Sequence, residues 1–167
     1  SGYNLIKEKI NMKIYKKFEP IIAGLSASII IGVLALLSFE TSTGYWLMIS
    51  FGATCLIVFV LYDKEFAQPG NIFFGHLLGI TVGILFNEFF GMTSISLALA
   101  VGFTITLMIY LKVVHPPAAA NPLIALFGDV SIEFIIFPVI SGSLIIIFLA
   151  VFINKFILKR NYPTKWL

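Results

Sequence analysis

The chain has 167 residues, of which 59% are hydrophobic and 11% charged, and a mean hydropathy of +1.03. Soluble domains average about 45–50% apolar and about 25% charged residues, and a domain of this size leaves too much surface exposed to hide such an excess. These figures exclude a water-soluble enzyme, a disordered tail and a secreted disulfide scaffold, leaving an integral membrane protein; the lone Cys55 excludes an internal disulfide, and the net charge of +3 forms no nucleic-acid patch.

Ser1-Gly2 stands where an initiator Met is expected, reads as a trimmed end, and is set aside. Residues 3–19 hold Lys7, Lys9, Lys13, Lys16 and Lys17 without a long apolar run, so they are not a signal peptide. Ile6, Ile10, Ile14 and Phe18 recur every four residues along one helical face. The pattern predicts a basic amphipathic helix lying on an anionic membrane surface; a solvated charged leader is the alternative.

Four long apolar segments follow, at residues 21–39, 72–90, 94–111 and 134–154. Each approaches the roughly 20 residues that a helix needs to cross a bilayer. Two shorter segments, 46–62 and 113–127, lie between them. As a straight helix the second would span roughly 22 Å of a core about 30 Å thick, so it is either a bent crossing or a re-entrant loop. Charge favours the crossing. If all six segments cross from an inside N-terminus, the inside holds the five leader lysines, Lys64, Lys112, Lys155, Lys159, Arg160 and Lys165, which are all eleven basic residues. The outside turns hold Glu40, Glu88, Asp129 and Glu133 and no basic residue, as the positive-inside bias requires. The predicted organisation is an amphipathic leader (1–19), a six-helix transmembrane domain (20–160) and a short tail (161–167), with both termini cytoplasmic. The expected location is the cytoplasmic (inner) membrane of a prokaryote.

Six crossings suggest two inverted repeats of three. At an offset of 67, Gly52-Ala53-Thr54 falls on Ala119-Ala120-Asn121, Leu56-Ile57 on Leu123-Ile124, and Gly75 on Gly142. Each short span is the middle segment of its half, the position where interrupted helices mark the midplane site of inverted-repeat transporters. Small residues recur at four-residue spacing as Gly24, Ser28 and Gly32, as Gly75, Gly79 and Gly83, and as Ala98, Gly102 and Thr106. Such faces let helix backbones approach closely, here and against further copies in a homo-oligomer.

The most unusual stretch is His115-Pro116-Pro117-Ala118-Ala119-Ala120-Asn121-Pro122. Proline pushes the residue before it out of helical geometry, so His115 is expected to be extended. Pro116 and Pro117 can then open a helix that continues to residue 127, with first-turn amides between small alanines open to an anion. Pro122 would leave the carbonyl near Ala118 without its helical partner. The matching stretch Ser50-Phe51-Gly52-Ala53-Thr54 is also small and polar. Polar groups within a bilayer are costly and usually functional; the plainer readings are a proline kink and a Thr54 hydroxyl bonded back to its own helix.

At these residues the chain resembles the HPP family of integral membrane proteins. The resemblance rests on Phe51-Gly52-Ala53-Thr54, Ala67-Gln68-Pro69-Gly70-Asn71, Gly75-His76 and His115-Pro116-Pro117-Ala118-Ala119-Ala120, and covers roughly residues 20–155. Members tend to carry Arg where this chain has Gly70, so a fixed cation is missing here. Some members transport nitrite, and the resemblance therefore implies small-anion transport.

His76, with Gln68 and Asn71, is a candidate for a cytoplasmic vestibule shared with His115. His76 can titrate near neutrality or serve only as a structural hydrogen-bonding group. Two histidines without a carboxylate cluster make no metal site. Asp63, Glu65, Glu88, Asp129 and Glu133 sit at span ends, where solvation is the default. Neither Gly-x-Ser-x-Gly nor His-Glu-x-x-His occurs, so no enzyme and no cofactor are expected. The resulting expectation is an all-α membrane protein that binds a small anion, nitrite first, near the bilayer midplane. Its binding residues would be Ser50, Gly52, Ala53, Thr54, His115, Pro116, Pro117, Ala118, Ala119 and Asn121. The alternatives are a non-transporting scaffold and a carrier of a small neutral solute.

Overall fold

The computed structural model describes residues 2–41 and 46–167, without the side chains of residues 2–16. Its regular structure is entirely helical among the described residues. Six helices follow in order: α1 (Gly2–Glu40), α2 (Ser50–Val60), α3 (Pro69–Phe90), α4 (Ser94–Tyr110), α5 (Asn121–Gly128) and α6 (Ser141–Phe152). Wide π turns, Ile135–Ile140 and Ile153–Ile157, extend α6 at both ends, and 3-10 turns occupy Glu65–Ala67 and Pro116–Ala120. Among the described residues, three stretches are long and apolar enough to cross a bilayer: Lys17–Glu40, Pro69–Phe90 and Ile135–Ile157. Helices α2 and α4 are apolar but shorter, with 11 and 17 residues.

The leader and the first span form one continuous helix, with Pro20 inside it. The amphipathic pattern of the leader, Ile6, Ile10 and Ile14 against Lys7, Lys9, Lys13 and Lys16, falls on side chains outside the described ones. At the other end of the chain, Phe137 leaves helical geometry (φ −124°, ψ 114°) just before Pro138, which has no amide to donate.

The 113–127 segment differs in detail from its sequence-based expectation. Pro116–Ala120 coils as a 3-10 turn, and the α-helix begins only at Asn121. Pro122 supplies no N–H for the Ala118 carbonyl, and the tighter turn closes that gap: the Asn121 amide donates to it instead. His115 is extended, as the following proline requires (φ −139°, ψ 100°).

Helix α3 joins two apolar clusters. Ile72 and Ile80 pack with Ile30 and Leu34 of α1, Phe51, Val58 and Phe59 of α2, and Ile146 and Ala150 of α6. On its other side Val82 packs with Ala100 of α4 and Leu126 of α5. Between these lies the glycine row. A Cβ added to Gly75 would stand 2.7 Å from His115 Cβ, one on Gly79 2.4 Å from the Ala118 carbonyl oxygen, and one on Gly83 2.6 Å from Pro122 Cα. The row is therefore a track on which the proline-rich segment lies backbone to backbone, the close approach that small residues allow between membrane helices. The corresponding positions Gly24, Gly32 and Gly102 meet nothing within 4 Å. Large apolar side chains such as Leu25, Leu36, Phe89, Ile95, Leu99 and Phe148 point outward, as they do where lipid is the solvent.

Candidate functional site

The proline-rich segment lies along α3 and also packs against α2, and this arrangement brings five polar residues together in the interior. Ser50 and Thr54 lie four residues apart and share one face of α2. His76 comes from the start of the third turn of α3, His115 from the extended residue before the 3-10 turn, and Asn121 from the first position of α5. Thr54, His76, His115 and Asn121 are 0% exposed, and Ser50 is nearly so.

Hydrogen bonds connect the five into one chain. Ser50 Oγ donates to Asn121 Oδ1 at 2.9 Å. Asn121 Nδ2 faces His76 Nδ1 at 3.1 Å and the His76 carbonyl at 3.0 Å. Thr54 Oγ1 sits 2.8 Å from His76 Nε2 and 3.0 Å from His115 Nε2. His115 Nδ1 is 2.7 Å from the Phe66 carbonyl. The two ends fix the tautomers. A carbonyl only accepts, so His115 carries a proton on Nδ1 and, when neutral, a lone pair on Nε2. The Asn121 amide group donates to His76 Nδ1, so neutral His76 carries its proton on Nε2 and gives it to Thr54. The Thr54 hydroxyl in turn donates to His115. Every member has a partner, which buried polar groups need when water is absent. The imidazoles also meet edge to face at 4.9 Å, and Phe51 caps His76 at 5.1 Å.

The remaining candidates separate into several places. Pro117 and Ala118 are buried in the track on α3, whereas Gly52, Ala53 and Pro116 are exposed and Ala119 is half-buried. The open helix starts expected from sequence are closed. The Ala118 amide donates to the His115 carbonyl at 3.0 Å and the Asn121 amide to Ala118; at α2, the Phe51 amide donates to Met48 at 2.9 Å and Gly52 to Ile49 at 3.4 Å. Thr54 does reach back to its own helix, with Oγ1 3.3 Å from the Ser50 carbonyl, but it also joins both histidines.

Of the three vestibule candidates, His76 belongs to the buried cluster. Asn71 Nδ2 donates to the Val114 carbonyl at 3.0 Å and lines a cavity of about 360 Å³ with Glu65, Phe66, Ile109, Lys112 and Val114. This recess abuts Phe66, the residue that ends the hydrogen-bonded chain. Gln68 lies apart from the histidines. Its Nε2 donates to the Tyr62 and Lys64 carbonyls at 2.9 Å each, and its Oε1 accepts from the Thr164 amide at 2.8 Å. A Cβ on Gly70 would fall 2.6 Å from the Trp166 carbonyl, so Trp166 and Leu167 fill that position.

Sequence reasoning missed a second polar centre. Arg160 Nη1 donates to the Phe59 carbonyl at 2.8 Å and to Asn154 Oδ1 at 3.0 Å, while Nη2 pairs with Glu19. Its guanidinium also covers the Tyr62 ring at 4.3 Å. Asn154, fully buried, holds the Val58 carbonyl. The signal was present in Asn154, a polar residue closing an otherwise apolar span. Among the described residues no group of His, Cys, Asp and Glu could hold a metal ion.

Residues 13–163 match the family model described as "HPP, transmembrane region". Two transmembrane proteins of Dictyostelium discoideum are similar. One is 35% identical over 125 residues, covering 70% of this chain and 44% of the relative. The other is 34% identical over 153 residues, covering 85% and 49%. The chain thus spans less than half the length of these curated relatives. No solved structure matches it.

Proposed function

The chain belongs to the HPP transmembrane family, and we propose that it carries a small anion, nitrite first, across the membrane that it spans. The observation that carries this reading is the Ser50–Asn121–His76–Thr54–His115 chain, buried in a protein that is 59% hydrophobic. Intramembrane polar groups cost free energy and are kept mainly where they serve a pathway. They gather where the two shortest helices, α2 and α5, meet α3, the kind of junction that holds substrate in carriers built from interrupted helices.

The proposed topology has six crossings, with both termini on the cytoplasmic side of a prokaryotic inner membrane. All eleven basic residues then lie inside. The inverted repeat remains part of the proposal. It is supported by Thr54 and Asn121, which correspond at the offset of 67 and both hydrogen-bond to His76. The cluster is closed in this conformation, so passage requires one half to move against the other, and substrate would replace part of the hydrogen-bonded chain.

The test is nitrite flux into proteoliposomes, with formate and nitrate as competitors. Saturable flux is expected, lowered at least about tenfold in His115→Ala and in Asn121→Ala, the equivalent of roughly 1.4 kcal/mol. Unchanged flux in both folded variants would remove these residues from the site.

One observation favours a second reading, a non-transporting scaffold. The Ser50 and His115 stretches touch directly, through Ser50–Asn121 at 2.9 Å and Thr54–His115 at 3.0 Å, with no gap for a ligand between the bonded atoms. Absence of nitrite flux from correctly folded native protein would favour that reading or a neutral solute.

A further inference from the structure

We propose that each anion crosses together with one proton, and that the proton resides on the His76–Thr54–His115 bridge; this names the coupling ion of the transport reading above and rests on it. The first ground is charge. None of the hydrogen bonds within the five-residue cluster involves a charged side chain. Lys112 is exposed on the rim of the recess beside Phe66, and Arg160 is engaged by Glu19, Asn154 and Phe59. An anion brought into this interior without a counter-charge would meet a desolvation cost of several kcal/mol or more. The imidazoles are the cluster's basic groups, so a proton that enters together with the anion would reside on one of them.

The second ground is the geometry at Thr54. In the neutral state His76 Nε2–H donates to Thr54 Oγ1, and the Thr54 hydrogen points to His115 Nε2. When His115 Nε2 takes up a proton, both rings donate to Thr54 Oγ1, at 2.8 and 3.0 Å, and the hydroxyl hydrogen needs another acceptor. The Ser50 carbonyl stands at 3.3 Å for that purpose. One proton is thus added by rotation of one hydroxyl, with no group left unpaired and His115 Nδ1–H still on Phe66. A second proton would have to enter at His76 Nδ1 and displace the Asn121 donor. The network therefore accommodates a single positive charge, matching one monovalent anion.

The third ground is access. The cavity of about 360 Å³ reaches Phe66, next to the His115 ring, and brings Glu65 and Lys112 to its wall. Glu65 and Lys112 are the ionisable groups lining this recess, His76 stands against the His115 ring, and the Tyr162 hydroxyl bonds to the Ala67 carbonyl beside Phe66. From α2 come Ser50 and Thr54, with Cys55 in the apolar core, and from α5 comes Asn121. In balance, one proton leaves water on the uptake side, binds the bridge with the anion, and returns to water on the other side; no net charge moves.

The experiment follows nitrite and internal pH together in proteoliposomes, at clamped membrane potentials, after subtraction of protein-free vesicles that report diffusion of nitrous acid. One proton is expected to enter per nitrite, at a rate insensitive to potential and rising as the external pH is lowered. Thr54→Ser keeps the bridging oxygen and should retain coupled flux within about twofold, whereas Thr54→Val should lower it at least about tenfold. Nitrite flux that carries net charge and brings no proton would overturn this proposal and leave anion transport standing. Absence of nitrite flux in the native protein would overturn both.

Discussion

Thr54 is the joint at which two buried histidines meet, because a hydroxyl alone among small side chains can accept from one ring and donate to the other. Replacing it with Val keeps the shape and strips both Nε2 atoms of their partner. The expected loss is about 1–3 kcal/mol of stability, the cost of unpaired buried polar groups, read as a lowered thermal unfolding midpoint in detergent, with Thr54→Ser close to native. Much of this cluster was legible in the sequence. His115, Asn121, Ser50 and Thr54 stand out as polar residues in apolar spans, and Ser50 and Thr54 have the spacing of one helix face. That spacing also separates them from Gly52 and Ala53, which turn outward on the same helix. The place of His76 was not legible: near the start of its span it reads as a vestibule group, and only the tertiary contacts with Thr54, His115 and Asn121 carry it inside.

At the scale of the element, the glycine spacing is the same on three helices, but the surroundings differ. On α3 a side chain at position 79 would run into the Ala118 carbonyl, whereas on α4 one at position 102 meets open space. Gly79→Ala should therefore cost about 1–3 kcal/mol through overpacking. Gly102→Ala should be neutral or stabilise by up to roughly 1 kcal/mol, since alanine is the better helix former. Parallel thermal melts of the two variants check the contrast, and equal effects would contradict the close contact on α3. Sequence supplied the spacing but not which row has a partner, which is a property of tertiary packing. The 3-10 turn at Pro116–Ala120 was half legible. Pro122 announces a missing donor, but the backbone's response, a tighter turn in which Asn121 donates to Ala118, follows from the need to satisfy that carbonyl away from water.

At the scale of the whole molecule, the C-terminal segment is folded back onto the turn between α2 and α3. Arg160 holds Glu19, Asn154 and the Phe59 carbonyl, and the Tyr162 hydroxyl donates to the Ala67 carbonyl at 2.8 Å. In a count of inside charges Arg160 reads as a solvated cation, because sequence distance hides its reach to α1. Burial pushes the Tyr162 phenol up from its ordinary value. The folded state therefore holds that proton after an unfolded tyrosine, near pH 10, has lost it. This contribution is complete below about pH 10 and falls as pH rises above it. Limited proteolysis should release the C-terminal segment increasingly above that pH in the native protein. Tyr162→Phe should show less added release across the same window.

If the buried five-residue cluster holds a small anion, that anion should stabilise the folded protein. The most direct measurement is the thermal unfolding of native and Thr54→Val protein against rising nitrite, with chloride making up constant ionic strength. A ligand that binds only the folded state stabilises it by about 2.7 kcal/mol at a hundred times its Kd. The native midpoint should rise with nitrite, and the response of Thr54→Val should be flat or shifted to much higher concentrations. An identical response in the two proteins, or none in the native one, would contradict the assignment of the anion to this cluster.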